Sequence, residues 1–199
     1  THLCVTLLWY LRLTRITLQR FLLACLVAAC VISPVSVSFA DDEAAAVVKA
    51  AFLHKFSLFT EWPESKRITE KGVSVVNICV LGKSDVSKTK SIFDEASSDK
   101  LKFKLLQKSN AKSVAQDCHI LFISSSEKAS YQEQVADIGN AAVLTVSDIP
   151  GFASWGGMIE LSLVNNRMKI GVINDKLASA TGIKIGADLL GISNKVIKE

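Results

Sequence analysis

The sequence is poor in the residues that cross-link chains or bind metals. It has 5 cysteines, 3 histidines and 3 prolines among 199 residues, and three of the cysteines lie within its first forty positions. Beyond those positions only Cys79, Cys118, His54 and His119 remain, and their spacing is not that of a metal-ligand cluster. The sequence therefore predicts neither a metal centre nor another cofactor.

The sequence also lacks the common catalytic motifs. Ser154 lies in GFASWGG, which does not have the Gly-x-Ser-x-Gly spacing of a serine hydrolase. Gly82-Lys83-Ser84 resembles the end of a phosphate-binding loop, but Asn77 stands where that loop requires its first glycine. We therefore expect that the protein is not an enzyme.

The first forty residues contain no acidic residue. They carry Arg12, Arg15 and Arg20, followed by the apolar run FLLACLVAACVISPVSVSFA. A basic stretch, an apolar run and small residues before the cut are the parts of a secretory signal peptide. We predict that residues 1–40 are a signal peptide, cleaved between Ala40 and Asp41. The segment exceeds the usual length, so its leading residues could precede the true start.

Two other fates of this segment stay open. Roughly 20 apolar residues are also enough for an uncleaved membrane anchor, and Val27-Ala28-Ala29-Cys30 resembles a lipoprotein processing box. In all three cases the basic flank stays in the cytoplasm and the remaining chain is delivered outward. The predicted location of residues 41–199 is therefore the periplasm.

The exported part is nearly neutral. Three of the 23 basic residues and none of the 19 acidic residues lie in the first forty positions, which leaves 20 basic residues against 19 acidic ones. No basic stripe with interleaved aromatic residues is present in the sequence, so we expect no nucleic-acid partner. The lysines around Lys102 are interpreted as a solvated strand face.

Residues 43–61 are predicted to form the first helix. Acidic residues at its start suit the helix dipole, and Trp62-Pro63 is predicted to end it. Apolar residues recur at helical spacing and are interpreted as the stripe that packs on a sheet. This predicted stripe consists of Val48, Phe52, Phe56 and Phe59.

From Val73 onward, apolar strand-like runs alternate with helical stretches. The successive segments are VSVVNICVL, SDVSKTKSIFDEA, LKFKLL, NAKSVAQD, CHILFIS, SEKASYQEQVADIG and AAVLTVS. Repeated strand–helix–strand units are typical of a mostly parallel sheet, and continuous apolar strands indicate helices on both faces. We predict a single α/β domain with such a sheet, followed by an antiparallel hairpin and a terminal helix.

The hairpin is predicted from MIELSLV and RMKIGVI, which flank Asn165-Asn166. Asparagine tolerates the positive φ angles of a two-residue turn. The predicted cross-strand pairs are Leu163 with Met168, Leu161 with Ile170, and Ile159 with Val172. Beyond the hairpin, Asn174 is predicted to begin a helical carboxyl end that Gly182 interrupts. Its predicted buried residues are Leu189, Leu190, Val196 and Ile197.

The segment from Ile149 to Gly157 is a glycine-rich loop with two large aromatic residues. Like Gly82-Lys83-Ser84 and Ser124-Ser125-Ser126, it follows a strand, and ligands of open α/β sheets bind at that edge. It is either a plain turn or a recognition loop. In the second interpretation Phe152 and Trp155 anchor a partner or ligand. The full set of candidate residues is Phe152, Ser154, Trp155, Gly156 and Gly157.

Cys79 and Cys118 allow two interpretations. An even pair of cysteines in an exported protein suggests one disulfide, and the alternative is two thiols buried in apolar strands. If Gly82 and Ser124 are level at their strand ends, Cys118 lies about three residues below Cys79, roughly 10 Å away. That separation is beyond bonding reach unless the strands are staggered.

The chain resembles the YfiR family of periplasmic regulators. The residues that carry the resemblance lie between about Val47 and Val196, and they are AAFLHKFSLFTEWP, NICVLG, DCHILFISS, VLTVSDIPGFASWGGMIEL, RMKIGVIN and GIKIGADLL. The resemblance implies a protein that binds the periplasmic sensory domain of an inner-membrane diguanylate cyclase and restrains cyclic-di-GMP signalling and biofilm formation. It also implies an outer-membrane, peptidoglycan-associated lipoprotein as a second partner.

The resemblance bears on the cysteines as well. It implies a disulfide between Cys79 and Cys118. Some members of the family carry a second pair, at positions that here hold Ala153 and Glu160. A different function remains open, namely a small-ligand sensor domain that uses the carboxyl edge of the sheet and passes a signal to a partner.

Overall fold

The structure, a computed structural model, describes residues 39–198, and their side chains from Asp42 onward. Most of the predicted signal peptide, residues 1–38 with the Val27–Cys30 box, lies outside the described residues. Phe39 and Ala40 are the first two residues of helix α1. Within residues 39–198 no helix has both the length and the apolar character needed to cross a bilayer.

Helix α1 spans Phe39–Leu58. It begins four residues before the predicted start and ends three residues before the predicted end at position 61. The reason for its end is strand pairing rather than the Trp62-Pro63 pair: Thr60–Glu61 forms strand β1, which pairs antiparallel with β9 at Lys184–Ile185. Thr60 is therefore already extended.

The buried side of α1 differs from the predicted stripe. The helix packs on the sheet through Ala46, Ala50, Leu53 and Phe56, which are at most 3% exposed. Val48 and Phe59 were predicted to be buried, but they are 41% and 40% exposed. Small alanines let the helix backbone approach the sheet closely, and the aromatic spacing misleads because α1 is apolar on all its sides.

Eight strands form one sheet within the described residues. They are β2 (Ile68–Glu70), β3 (Val73–Leu81), β4 (Leu101–Lys108), β5 (Ile120–Ile123), β6 (Leu144–Ser147), β7 (Ile159–Val164), β8 (Arg167–Asn174) and β10 (Lys195–Ile197). The order is β4-β3-β5-β6-β7-β8-β10, and β2 pairs with the first residues of β3 on the side away from β4. Within this eight-stranded sheet only the β2–β3 and β7–β8 pairs are antiparallel. The predicted mostly parallel α/β domain is confirmed.

Short helices connect the parallel strands. They are α2 (Lys90–Ala96), α3 (Val114–Asp117), α4 (Tyr131–Ile138), α5 (Asp175–Ala180) and α6 (Ala187–Gly191). The helices after β3 and β5 are shorter than predicted because 3₁₀ turns at Asp85–Lys88 and Ser125–Glu127 precede them. Ser84 and Ser124 begin these turns, and each side chain accepts a hydrogen bond from the N–H two residues ahead.

Alternate residues of the central strands enter two separate cores. Ile78, Val80 and Phe122 pack beneath α1 and α2, whereas Cys79 and Leu121 pack beneath α3 and α4. The strands are therefore buried on both faces. This explains why their sequences are continuously apolar rather than alternating.

The hairpin forms as predicted except at its base. Asn165 and Asn166 have φ angles of 50° and 57°, and the two pairs nearest the turn are confirmed. The third prediction is wrong: Ile159 lies opposite Ile173, not Val172, because a bulge interrupts the pairing between Glu160 and Leu161. Gly171 is the extra residue of this bulge, and a β-carbon there would lie 2.2 Å from Ser162 Oγ.

The carboxyl end is partly helical. Asn174 caps α5 by accepting a hydrogen bond from the Leu177 N–H at 3.1 Å, and Gly182 follows the helix with a φ of 81°. Leu189 is buried in α6 as predicted. Val196 and Ile197 were predicted on a helix, but they belong to β10, which pairs parallel with β8. Both residues are β-branched and suit a strand better.

Candidate functional site

The glycine-rich loop after β6 has a defined conformation. Phe152–Trp155 forms a 3₁₀ turn between Gly151 and Gly156, whose φ angles are 84° and 99°. The Phe152 N–H donates to the Ile149 carbonyl, and the Gly157 N–H donates to the Phe152 carbonyl. Since side chains rarely adopt such φ angles, the two glycines permit the turn. The loop is thus held in shape by its own backbone.

The two aromatic residues of the loop have opposite surroundings. Phe152 is fully buried and packs on Tyr131, with ring centroids 5.7 Å apart. Gly157 leaves room for this ring, because a β-carbon there would lie 2.1 Å from Phe152 Cε1. Phe152 was predicted to anchor a partner, but it belongs to the core. Trp155 is 66% exposed and is the aromatic residue of the loop that can reach a partner.

The remaining candidate residues divide in the same way. Ser154 is exposed beside Trp155, Gly156 is half-buried and Gly157 is buried. The sequence therefore identified the loop correctly as an unusual segment. Of its five candidate residues, the structure presents only Ser154 and Trp155 with open side chains, and the two glycines act through the backbone.

Two residues that the sequence analysis missed fix this loop to the sheet. The buried Glu160 accepts a hydrogen bond from the Ala153 N–H at 3.3 Å through its Oε2 atom. Asn174 Nδ2 donates to the Ala153 carbonyl at 3.0 Å. Glu160 is the one charged residue in MIELSLV, which was the available signal. A polar contact thus joins Ala153 to Glu160 across the base of the loop.

Two of the three loops predicted at the carboxyl edge of the sheet meet each other. The Lys83 N–H donates to Ser126 Oγ at 2.8 Å, and Ser124 Oγ donates to the Lys83 carbonyl at 2.6 Å. Beside them lies a cavity of about 620 Å³, whose lining includes Lys83, Asp85 and Lys88 but not Trp155. The third loop therefore does not contribute its exposed aromatic residue to this cavity.

An ion pair connects α1 to the same edge. Lys49 Nζ lies 2.6 Å from Asp148 Oδ2, directly after β6, and 5.9 Å from the centre of the Phe122 ring. The two charged side chains are only 18% and 15% exposed. Removing either partner would leave a charge that water reaches poorly, so the pair fixes the position of α1 on the sheet.

His119 is a structural histidine near the amino-terminal edge of the sheet. Its Nδ1 accepts a hydrogen bond from the Asn77 N–H at 3.0 Å, and its carbonyl accepts one from Trp62 Nε1 at 3.2 Å. Burial, together with the nearby Lys66 ammonium, lowers the pKa of His119 to about 4. The ring is therefore neutral near pH 7, and it packs edge-on against the Trp62 ring with centroids 5.5 Å apart.

Lys66 is the second buried ionisable group of this region. Burial lowers its pKa, and the negative charge of Asp117 opposes that effect. Its Nζ donates to the carbonyl of Ala115, the second residue of α3. The lysine thus joins the turn after β1 to α3, and this contact explains why it is buried.

Cys79 and Cys118 form a disulfide with Cα atoms 5.9 Å apart. Cys79 lies opposite Leu121, so the predicted offset of three residues is correct. The disulfide is therefore confirmed, although this offset would place the sulfurs out of reach in two level strands. Cys118 is not in a strand: it directly follows α3, and β5 begins two residues later at Ile120.

The solvent side of α1 is nearly free of charge. Between Glu43 and Glu61 its exposed residues are Ala44, Val47, Val48, Ala51, Lys55, Leu58 and Phe59. We call this set the outer face of α1. Its four large side chains are 40% to 54% exposed. The sequence analysis missed this surface because it placed Val48 and Phe59 in the core.

Within residues 39–198, no three His, Cys, Asp or Glu side chains are grouped so that they could hold a metal ion. The buried His119 and the two cysteines are occupied by the structural contacts described above. The outer face of α1 and Trp155 are therefore candidate contact surfaces of the described residues.

Comparison with known proteins gives one extensive match. The model of the family DUF4154, described as YfiR/HmsC-like, matches residues 46–194. No curated protein matches the chain. Several solved structures are similar to part of the chain, and two of them are an ABC domain and a conserved domain protein. The ABC domain from Streptococcus pneumoniae, crystallised with L-Trp, has 15% identity and a TM-score of 0.46 over 61% of this chain and 55% of its own.

The second structure is a conserved domain protein from Vibrio cholerae. It has 11% identity and a TM-score of 0.46 over 60% of this chain and 54% of its own. The chain thus spans about half the length of each of these two structures.

Proposed function

Because the chain belongs to the YfiR/HmsC-like family, we propose that it is a periplasmic regulator that binds the periplasmic sensory domain of an inner-membrane diguanylate cyclase. Binding holds the cyclase in a less active state and so lowers cyclic-di-GMP signalling and biofilm formation. The protein acts by contact and not by turnover of a substrate.

The observation that carries this proposal is the outer face of α1. Its exposed residues include Val47, Val48, Leu58 and Phe59, with Lys55 as the one charged side chain among them. A contiguous apolar surface on a water-exposed helix marks a site of protein contact. Burial of such side chains against a partner contributes free energy to binding at about 25 cal/mol per Å² of apolar area.

Trp155 is a second candidate contact. Tryptophan is the residue type most often found to dominate the binding energy of an interface. The backbone of its loop is held by Glu160 and Asn174, so little conformational freedom is lost when a partner binds. Ser154 lies beside it and offers a hydroxyl to the same partner.

Export of the chain is part of the proposal. The predicted signal peptide, residues 1–40 with cleavage between Ala40 and Asp41, would deliver the domain to the periplasm. A buried disulfide between Cys79 and Cys118 supports this location, because disulfides persist in oxidising compartments. The proposal includes the second partner as well: an outer-membrane, peptidoglycan-associated lipoprotein that sequesters the regulator and releases the cyclase.

A binding experiment tests the proposed interface. Residues 41–199 and the periplasmic domain of an inner-membrane diguanylate cyclase from the source strain are purified, and their dissociation constant is measured by calorimetry. We expect Val48→Glu to weaken binding at least about tenfold, since it places a charge in an apolar contact. Leu163→Glu is the matched control, because Leu163 is 67% exposed on the hairpin. Equal affinity of the wild type and Val48→Glu would rule out the outer face of α1 as the interface.

The cavity at the carboxyl edge of the sheet favours a second candidate function. A small-ligand sensor would bind its ligand beside Lys83 and Asp85, in the position where α/β sheets commonly bind ligands. Calorimetry against nucleotides, amino acids and vitamins distinguishes the two functions. Tight binding that Lys83→Ala abolishes would favour the sensor, and no binding in the whole panel would leave the regulator.

A further inference from the structure

Strand β4 has one open edge within the described residues. It pairs with β3 along all eight of its residues, from Leu101 to Lys108, and with no other strand of the described chain. The opposite end of the sheet is β10, which is only three residues long. An eight-residue edge strand presents a row of backbone groups that another strand can bind.

The direction of the backbone groups follows from the observed hydrogen bonds. The Ser74 N–H of β3 donates to the Lys100 carbonyl. The backbone N–H and C=O groups of the even-numbered residues of this segment therefore point towards β3. The backbone groups of the odd-numbered residues point away from β3, as two contacts show. The Ser98 N–H donates to the Leu101 carbonyl, and the Phe103 N–H donates to Ser97 Oγ.

The loop before β4 therefore covers the first part of the open edge but not the rest. The backbone groups of Leu105 and Gln107, together with the Phe103 carbonyl, have no hydrogen-bond partner within residues 39–198. A strand of four or five residues would satisfy them. Beside them runs a groove of about 460 Å³ along β4 and α2.

The side chains of β4 give the two faces of this edge different chemistry. Phe103 and Leu105 point to the core beneath α1 and α2. The alternate residues Lys102 and Lys104 lie on the opposite face. Lys104 Nζ pairs with Glu70 Oε1 at 2.5 Å, whereas Lys102 is exposed and has no ionic partner in the described chain. The groove is lined by Lys90, Lys102 and Lys104 and by one acidic residue, Asp94, which pairs with Lys90. Within the described residues, Lys102 is therefore the unpaired charge of its lining.

From this arrangement we propose that the open edge of β4 binds an extended, acidic segment of a partner protein by strand addition. The segment alternates acidic residues, of which one faces the unpaired Lys102, with apolar residues, which face the Leu105 side. Backbone hydrogen bonds to Leu105 and Gln107 supply affinity, and the alternation supplies specificity.

A second copy of this chain is a poor occupant of the same edge. In an antiparallel pair centred on Leu105, Lys102 of each copy would lie opposite Lys108 of the other. Each such pair would set two lysines against one carboxylate, that of Asp117, which binds Lys108. Like charges in directly opposite positions destabilise a strand pair. Lysines on an edge strand discourage self-pairing in this way, and the same charges attract an acidic strand. The proposal does not depend on the identity of the cyclase or on the outer face of α1.

The test uses residues 41–199 and an acetylated peptide of alternating valine and glutamate, six residues long, with the lysine analogue of the peptide as control. NMR titration is expected to shift and protect the amides of Leu105 and Gln107 on addition of the acidic peptide only. Leu105→Pro removes an outward N–H, which is tolerated on an edge strand, and is expected to weaken binding about fivefold.

Lys102→Glu keeps the backbone intact and is expected to weaken binding of the acidic peptide about tenfold, because it turns attraction into repulsion. Lys112→Glu, in the exposed loop before α3, is the matched control and is expected to bind the peptide as the wild type does. The proposal is overturned if the acidic peptide fails to bind, if the lysine peptide binds equally well, or if Lys102→Glu and Lys112→Glu behave alike. Dimerisation of the chain through β4, seen in ultracentrifugation and lost in Leu105→Pro, would also overturn it.

Discussion

His119 Nδ1 accepts a hydrogen bond from the Asn77 backbone N–H at 3.0 Å, and the ring must be neutral to do so. Protonation would remove the acceptor and place a second cation beside the buried Lys66. The His119 ring also packs edge-on against the Trp62 ring, with centroids 5.5 Å apart, so a change in its protonation state bears on the packing of the Trp62 turn on the sheet.

This link predicts loss of stability in acid. The pKa of His119 is about 4 in the folded chain, below the ordinary value of 6.5, so the unfolded chain binds the proton more tightly. The contribution of neutral His119 to the free energy of unfolding is then fully present above about pH 6.5 and is lost as the pH falls towards 4. The full effect is about 3 kcal/mol, at ~1.4 kcal/mol per pKa unit.

Urea unfolding at pH 7, 5.5 and 4.5 measures this dependence. We expect His119→Gln to start from a lower stability but to lose less of it on acidification than the wild type. Carboxyl groups titrate in both proteins, so only the difference between the two slopes is informative. Identical slopes would show that His119 does not couple pH to folding.

The Cys79–Cys118 disulfide is expected to be a main source of stability. It joins residues 39 positions apart, and closing a loop of that length in the unfolded chain corresponds to about 4 kcal/mol in the chain-entropy model. We predict that the double change Cys79→Ala and Cys118→Ala lowers the free energy of unfolding by about 2–4 kcal/mol. Non-reducing mass spectrometry of the exported protein should find the two peptides joined, and free thiols at both positions would refute the pairing.

Gly157 is predicted to tolerate no side chain. In Gly157→Ala the added β-carbon would meet the buried Phe152 ring, which must move. We expect a loss of about 1–3 kcal/mol in the free energy of unfolding, as in other overpacked cores. Ser154→Ala, in the same loop but exposed, serves as control and should change stability by less than about 0.5 kcal/mol. Thermal unfolding of the two variants side by side measures the contrast.

Phe152 and Trp155 are predicted to give opposite results on substitution by alanine. Phe152→Ala empties a fully buried site and should cost about 3–5 kcal/mol of stability. Trp155→Ala should leave stability within about 0.5 kcal/mol but weaken binding of the cyclase domain about tenfold or more. Unchanged binding in Trp155→Ala would remove the loop from the proposed interface and leave the outer face of α1 alone.

The sequence predicted the parallel strands well because their apolar runs end at clear turn residues. The β3 run VSVVNICVL coincides with the observed strand from Val73 to Leu81. Prediction from the sequence failed where contact with a distant part of the chain decides which residues are buried. The buried side of α1 is one example, since an apolar residue occurs at nearly every angle around the helix and only the sheet selects Ala46 and Ala50.

The candidate site shows the same division. Two aromatic residues between glycines identify the loop after β6 as unusual, but the sequence does not tell which of them is exposed. Which aromatic residue is buried depends on Tyr131 in helix α4, against which Phe152 packs, and on the space that Gly157 leaves for the Phe152 ring. The base of the hairpin is a further case, because Gly171 moves the register by one residue through a bulge that alternation alone does not reveal.

The cellular concentration of cyclic-di-GMP, measured in the source strain with and without the gene for this protein, tests the central claim most directly. Deletion should raise the concentration, and the wild-type gene should restore it, whereas a Val48→Glu gene that produces equal amounts of folded protein should not. An unchanged concentration after deletion, with the cyclase present and the protein exported, would contradict a role as its regulator.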